Sequence, residues 1–150
     1  MSFCVIDSPV GRLRIDTDEK GICGMNRIEE PLRPPAEPLQ TDCARQLAEY
    51  FTGTRRVFDL PLHPVGTAFR MKVWAELQRI PYGQTITYGE LARRVGNGKG
   101  ARAVGGANHH TPISLSIPCP RGLGADGSLT GYGGGLAMKE ALMRLEGSLG

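Results

Sequence analysis

The sequence predicts an α+β fold, with a small N-terminal antiparallel sheet and one helix packed on a helical C-terminal domain that contains a helix-turn-helix. Three observations lead to this prediction. Apolar and polar residues alternate near the N-terminus, apolar residues recur at helical spacing after residue 66, and Gly and Pro fall between these segments without a period. A chain of 150 residues makes one ordinary domain or two small halves. We place one domain over residues 1–62 and the other over residues 66–150.

The N-terminal segment is predicted to form a three-stranded meander. In its second strand Leu13 and Ile15 alternate with charged residues, which is the period of a half-buried strand. Turn sequences that contain Gly separate the strands. The predicted strands cover residues 2–7, 12–16 and, more weakly, 22–28.

One helix and an extended segment complete the predicted N-terminal domain. After a loop with four prolines, Thr41 is the predicted N-cap of a helix that ends at Gly53. Residues 58–66 are interrupted by prolines, and we predict a last edge strand that leads into the linker. The residues expected on the buried face of the helix are Ala44, Leu47, Ala48 and Phe51.

The C-terminal domain begins with three predicted helices. Thr67 is the expected cap of the first, and Thr87, with Glu90 three residues later, has the capping-box spacing for the second. A Gly-containing turn over residues 96–100 then leads to a short helix over 101–108 that is rich in small residues, a pattern typical of a helix-turn-helix. The apolar face of the first helix is expected to contain Phe69, Val73, Trp74 and Leu77.

An isolated cysteine stands between an apolar segment and a glycine-rich loop. Residues 111–118 are predicted to be extended, because every second residue from 113 to 117 is Ile or Leu. This segment leads to Cys119, which is flanked by prolines. A last helix is expected over residues 136–146.

Charge and cysteine usage narrow the class of protein. Residues 1–65 carry 8 Lys and Arg against 10 Asp and Glu, whereas residues 66–150 carry 10 against 5, so the basic half is expected to meet a polyanion. The four cysteines lack a CxxC pair, which favours reduced thiols and a cytoplasmic or nucleoid-associated protein.

No apolar run approaches the ~20 residues that span a bilayer, and no secretory signal is visible. We expect no membrane association.

Ordered motifs run through the C-terminal half of the chain. They are Gly-Thr-Ala-Phe-Arg-Met-Lys-Val-Trp at 66–74, Ile-Pro-Tyr-Gly at 80–83, Thr-Tyr-Gly-Glu-Leu-Ala at 87–92, Ala-Arg-Ala-Val-Gly-Gly-Ala-Asn at 101–108, Pro-Cys-Pro-Arg at 118–121 and Gly-Tyr-Gly-Gly-Gly-Leu at 131–136. In order and spacing they resemble the O6-alkylguanine-DNA alkyltransferases, the methylated-DNA–protein-cysteine methyltransferase family. The resemblance is strong over residues 64–147 and weaker before them.

The resemblance implies a single-turnover DNA repair protein that acts on double-stranded DNA containing O6-alkylguanine. Such a protein extrudes the damaged base and moves its alkyl group irreversibly to a cysteine. It implies Cys119 as the acceptor and Glu146 as the carboxylate of a proton relay. It also implies no cofactor, no metal in the site and a monomer. The implied DNA contacts are Tyr88, Lys99, Ala101 and Arg102, and the implied substrate pocket contains Thr111, Arg121, Tyr132 and Gly133.

Two positions depart from the family pattern. Pro120 stands where the family has the histidine that accepts the thiol proton, and proline has no titratable group. Thr111 stands where the family has an asparagine hinge. The leading interpretation is alkyl transfer with impaired or altered thiol activation. The alternatives are a non-catalytic alkylguanine-DNA-binding protein and a fold reused for small electrophiles.

Histidines and further cysteines leave two questions open. We favour solvent or phosphate contacts for His109 and His110, with an imidazole that reaches Cys119 as the alternative. Some family members carry a structural zinc in the N-terminal half. Its counterparts here would be Cys4, Cys23 and His63, with Cys43, but their irregular spacing argues against a metal site.

Overall fold

The computed structural model describes residues 2–96, 100–124 and 136–148, with Cys119 described by its backbone. The chain divides into two compact units, Met1–Pro64 and Val65–Gly150. No helix among the described residues is long and apolar enough to cross a bilayer.

The first unit contains a three-stranded antiparallel sheet. Its strands are β1 (Ser2–Ile6), β2 (Leu13–Asp18) and β3 (Gly21–Arg27), and β2 lies in the centre. Leu13 and Ile15 on β2 are fully buried while Arg14 between them is partly exposed, so the predicted alternation is confirmed. The register shifts between Asp16 and Thr17, where β2 meets β3.

The helix of the first unit, α1 (Pro38–Phe51), begins earlier than Thr41, and the predicted N-cap is wrong. Thr41 lies inside the helix, where its N–H donates to the carbonyl of Glu37 at 3.0 Å. Glu37 is the actual cap, and Pro38 at the first helical position loses nothing by lacking an N–H.

The buried face of α1 also differs from the prediction, since Ala48 is exposed and only Leu47 of the predicted set is buried. Two glutamine amides account for the difference. Gln46 donates from Nε2 to the carbonyl of Asp59 at 3.0 Å and accepts from its N–H at 2.8 Å. Gln40 donates to Ser2 Oγ at 2.7 Å. A buried amide with satisfied hydrogen bonds can occupy a position that an apolar pattern assigns to another face.

The predicted edge strand over residues 58–66 is wrong. It is reduced to a single bridge between Ile22 and Leu62, in which the Ile22 N–H donates to the Pro61 carbonyl at 2.8 Å and the His63 N–H donates to the Ile22 carbonyl at 2.7 Å. Prolines on both sides of the bridge lack the N–H groups that would extend the ladder.

The second unit begins with α2 (Ala68–Leu77), which Thr67 caps as predicted by accepting from the Arg70 N–H at 3.2 Å. Trp74, 1% exposed, donates from Nε1 to the carbonyl of Ala107 at 2.8 Å. A Cβ on Gly66 would lie 2.5 Å from the Trp74 ring, so only glycine allows the chain to pass there. Trp74 therefore fixes the position of Ala107 relative to α2.

Two further helices form the expected helix-turn-helix. They are α3 (Tyr88–Arg94), capped by Thr87 Oγ1 as predicted, and α4 (Gly100–His109), which contains Ala107. Preceding α3 is β4 (Ile86–Thr87), and it pairs in parallel with β5 (Gly122–Leu123). The α+β class is confirmed, whereas this two-residue parallel pair is too short for periodicity to reveal.

The predicted extended segment over residues 111–118 is wrong: turns replace it over 114–116. Ser114 and Ser116 are buried together with the intervening Leu115, so the alternation of Ile and Leu with Ser does not separate two faces of a strand. A 3-10 turn, Cys119–Arg121, then leads into β5, and the last helix is α5 (Leu136–Glu146), as predicted.

We predict that Trp74→Phe lowers the free energy of unfolding by about 2–3 kcal/mol, because it removes a buried hydrogen bond and leaves a cavity. Urea unfolding followed by circular dichroism measures this. Met71→Ala, in the same helix at a side chain that is 40% exposed, is the control and is expected to cost much less. Equal losses in the two variants would contradict the role assigned to Trp74.

Candidate active site

The turn that carries Cys119 is closed at both ends. The N–H of Arg121 donates to the carbonyl of Pro118 at 3.0 Å, and both prolines beside the cysteine are buried. Pro120 suits the first residues of such a turn, where its missing N–H has no partner to lose. Upstream, Thr111 is buried and its Oγ1 accepts from the Ile113 N–H at 3.4 Å. Thr111 thus makes a local hydrogen bond at the position of the expected hinge.

Arg121 and Glu146 form a bidentate ion pair beside this turn. Arg121 Nε lies 2.9 Å from Glu146 Oε1, and Nη2 lies 3.1 Å from Oε2. The two side chains are only 11% and 7% exposed, so water screens them poorly. The pair fixes the turn to the end of α5.

Other groups add hydrogen bonds around this pair. Arg121 Nη1 donates to the carbonyl of Ile80, and the N–H of Gly83 donates to Glu146 Oε1 at 3.3 Å. The Tyr82 hydroxyl donates to the Leu145 carbonyl at 3.2 Å. Gly83 has φ +79°, and a Cβ there would lie 3.0 Å from the Glu146 carbonyl oxygen. The Ile-Pro-Tyr-Gly motif at 80–83 therefore has a structural task, which is to hold the ion pair.

Tyr88, at the start of α3, is buried with 5% exposure. Its hydroxyl oxygen accepts from Asn108 Nδ2 at 3.1 Å and from Lys139 Nζ at 3.2 Å. Lys139 is fully buried and also donates to the carbonyl of Gly122. This network joins α3, α4, α5 and β5. Its partner in β5, Gly122, directly follows the turn that contains Cys119.

Sequence reasoning missed Lys139 and Asn108 as site residues. One signal in the sequence could have identified Lys139. It lies three residues after Leu136 and four before Met143, so it falls on the same helix face, where the apolar pattern predicts a core residue instead of a cation. Asn108 closes the small-residue helix that we predicted, but no spacing indicates that its amide reaches Tyr88.

The residues expected at the DNA surface differ in exposure. Arg102 on α4 is exposed and Ala101 is partly exposed. His109 and His110 are exposed at the end of α4, with their rings 4.9 Å apart and at right angles. Lys99 of the predicted DNA surface and Tyr132 and Gly133 of the predicted pocket lie outside the described residues.

The candidate metal ligands of the first unit do not form a metal site among the described residues. Among residues 2–96, 100–124 and 136–148, no group of three His, Cys, Asp or Glu side chains could hold a metal ion. His63 Nδ1 instead lies 2.7 Å from Asp18 Oδ2, and this hydrogen bond lowers the pKa of the Asp18 carboxyl. Burial raises the pKa of the Cys43 thiol to about 12, which makes that cysteine unreactive.

Comparison with known proteins identifies the family. Residues 68–148 match the family described as 6-O-methylguanine DNA methyltransferase, DNA binding domain. Residues 1–64 match its ribonuclease-like domain. The chain belongs to the 6-O-methylguanine DNA methyltransferase family.

Relatives within this family align along almost the entire chain. A methylated-DNA–protein-cysteine methyltransferase of Methanosarcina acetivorans is 44% identical and covers 99% of both chains. The namesake in Haemophilus influenzae is 44% identical over 93% of this chain and 82% of its own. Among solved structures, the Mycobacterium tuberculosis O6-methylguanine methyltransferase has a TM-score of 0.87 at 40% identity, covering 99% of this chain and 93% of its own. The M. tuberculosis protein in complex with DNA also has a TM-score of 0.87, at 42% identity over 97% and 92%.

We predict that Gly122→Ala destabilises this member of the methyltransferase family by about 1–3 kcal/mol, because a Cβ would lie 2.7 Å from Tyr88 Cε1 and 3.2 Å from Asn108 Oδ1. Gly106→Ala is the matched control, since a Cβ there meets nothing within 4 Å. In a helix interior that change is expected to stabilise by about 0.5–1 kcal/mol. Urea unfolding midpoints compare the two, and a neutral Gly122→Ala would show that Tyr88 is free to shift.

Proposed function

We propose that this chain repairs double-stranded DNA by stoichiometric, irreversible transfer of an alkyl group from O6 of guanine to Cys119. The observation that carries this proposal is the placement of Cys119 in a turn fixed by the buried Arg121–Glu146 pair. Relatives that are 40–44% identical over nearly the whole chain are named methylated-DNA–protein-cysteine methyltransferases. Because the substrate is DNA, we place the action of the protein at the nucleoid or in the cytoplasm, as a monomer.

The proposed reaction is a single displacement. The Cys119 thiolate attacks the alkyl carbon, a carbon–sulfur bond forms, and the carbon–oxygen bond to O6 breaks. The electron pair of the broken bond stays on the purine, which takes up a proton. The thiol proton leaves to the surrounding water or to a nearby base. The product thioether has no leaving group that restores the thiol, which explains a single turnover.

The second unit is proposed to carry both the DNA surface and the pocket. The exposed guanidinium of Arg102 on α4 would fill the space in the base stack that the extruded nucleotide leaves. Lys99 and Ala101 would contact the backbone near it. Tyr88 would contact the extruded base, and Thr111, Arg121, Tyr132 and Gly133 would shape its pocket.

A non-catalytic lesion-binding function is not favoured. The chain retains the cysteine that such a function does not need, and its relatives are named for the transfer reaction. Pro120 has no base that could accept the thiol proton, so the proton needs a different route. Glu146 is poorly suited to accept it directly, because both of its carboxylate oxygens already accept from Arg121. We propose that Glu146 acts mainly by positioning the cysteine turn, with water as the first acceptor of the proton.

The proposed function predicts a mass increase on Cys119. Incubation with duplex DNA containing O6-methylguanine is expected to add one methyl group in place of one hydrogen, and peptide mapping locates it. Cys119→Ala, the control, is expected to show no gain. Cys43 supplies an internal control, because its pKa of about 12 leaves it unreactive at neutral pH. Lesion binding without any mass gain would support the non-catalytic alternative instead.

We predict that Pro120→His accelerates transfer at least about tenfold, because a positioned base contributes ~10²–10⁴-fold to proton transfer. The accelerated rate is expected to fall as pH drops below the imidazole pKa of about 6.5. Single-turnover quench kinetics across pH 5–9 measure both effects, with the range chosen to bracket that pKa. Pro120→Gln is the control, since it frees the same backbone without adding a base. Pro120→His is also tested together with Thr111→Asn, so that a displaced turn does not hide the gain. An unsubstituted chain as fast as these variants would show that residue 120 is not a defect.

A further inference from the structure

The end of α4 presents two adjacent histidines to solvent. His109 and His110 are both exposed, and their rings lie edge to face with centroids 4.9 Å apart. Among the residues that the structure describes, neither imidazole has a hydrogen-bond or ion-pair partner. A histidine that serves the packed core is buried and hydrogen-bonded, so these two rings are available to a ligand instead.

The histidine pair shares an exposed face of α4 with Arg102. His109 lies about two helical turns after Arg102, so the two side chains project from one face, about 10 Å apart along the axis. Gly106 lies between them on that face, and a Cβ there would meet nothing within 4 Å. The face therefore carries a cation at one end, two titratable rings at the other, and open space in between.

This arrangement fits the backbone of a nucleic acid. Arg102 is proposed to enter the base stack, and neither groove of a duplex is wider than about 12 Å. A second side chain about 10 Å farther along the same face therefore reaches the phosphates that flank the groove. Two imidazoles in contact repel each other when both are protonated, and an anion placed against both offsets that repulsion. A phosphate supplies this charge together with oxygens that accept hydrogen bonds from both rings.

No carboxylate competes with a phosphate for the two rings among the described residues. α4 contains no Asp or Glu, and the helices packed against it are α2 and α3. Both carboxylates on those helices pair with arginines of α3, and the tyrosine packs against Gly105 on the buried side. The charged and titratable side chains of the two helices are Arg70, Lys72, Glu76, Tyr88, Glu90, Arg93 and Arg94.

We propose that His109 and His110 form a pH-dependent contact to a phosphate of the DNA backbone, next to the place where Arg102 enters the stack. This inference rests on the proposed function. A protonated imidazole carries a positive charge and two N–H donors. A neutral one leaves the carbonyl end of α4, which repels anions, facing the phosphate. DNA binding is therefore coupled to proton uptake, and by reciprocity a lower pH tightens binding.

Equilibrium binding to a short undamaged duplex tests this inference. Phosphate contacts do not require the lesion, and without a lesion no alkyl transfer removes protein from the equilibrium. Fluorescence anisotropy at fixed ionic strength compares about pH 8 with about pH 6, across the range in which histidine changes charge. The unsubstituted chain is expected to bind about fivefold more tightly at the lower pH. In the double variant His109→Gln with His110→Gln, the difference is expected to shrink to less than about twofold.

Two further variants separate charge from structure. His109→Arg with His110→Arg carries permanent charges and is expected to bind tightly at both pH values. His63→Gln is the matched control, because it removes the remaining histidine of the chain, which lies in the first unit. It is expected to keep the full pH dependence. Circular dichroism checks that each variant folds, which substitutions at exposed positions allow.

The salt dependence of binding supplies a second readout that a structural role would not change. Each added phosphate contact releases counterions, so the loss of affinity with salt is expected to be steeper at about pH 6 than at about pH 8. The difference in slope is expected to vanish in the double glutamine variant. Equal slopes at both pH values in the unsubstituted chain would contradict a protonated contact.

The outcomes distinguish this inference from the function on which it rests. No duplex binding by the unsubstituted chain at either pH would overturn both. Binding whose pH dependence persists in the double glutamine variant would overturn the role of the histidine pair alone. Loss of the pH dependence in His63→Gln would overturn it too, while methyl transfer to Cys119 would leave the proposed function standing.

Discussion

The buried ion pair between Arg121 and Glu146 is the interaction on which the arrangement around Cys119 depends. Removing two charges from water costs several kcal/mol per ion, and the attraction between them offsets this only when the geometry is good and the remaining hydrogen bonds are made. Here the pair is bidentate, and Ile80 and Gly83 supply further partners. Three segments that are distant in the sequence must therefore meet at one place. The pair thereby ties the backbone turn that contains Cys119 to the end of α5.

The tyrosine network extends the same constraint into the core of the second unit. Lys139 would be a poor choice for stability alone, because a buried ammonium needs compensation that a leucine would not. Its bonds to Tyr88 and to the Gly122 carbonyl link α5 to the strand that follows the cysteine turn. These directional hydrogen bonds fix the relative positions of α5 and β5 more specifically than apolar packing alone would.

Local chemistry made much of the fold predictable from the sequence. The alternation at Leu13 and Ile15 and the caps at Thr67 and Thr87 depend on residues a few positions apart, and all of these predictions are confirmed. The buried face of α1 and the turns at 114–116 were missed, because buried glutamine amides and buried serines resemble surface residues in a pattern. The pairing of Arg121 with Glu146 spans 25 residues, and that of Tyr88 with Lys139 spans 51. The family resemblance pointed to Arg121, Glu146 and Tyr88, but only the folded chain shows what they touch.

The indole of Trp74 gives the protein a built-in optical reporter. It is the single tryptophan of the chain, and its ring N–H is bonded to Ala107 in the helix that carries Arg102. Indole emission responds to the polarity and hydrogen bonding around the ring, and excitation at its red edge excludes the four tyrosines. A small displacement of that helix that breaks this hydrogen bond therefore changes the fluorescence emission of the unlabelled protein. Movements of α4 become visible in real time without any substitution.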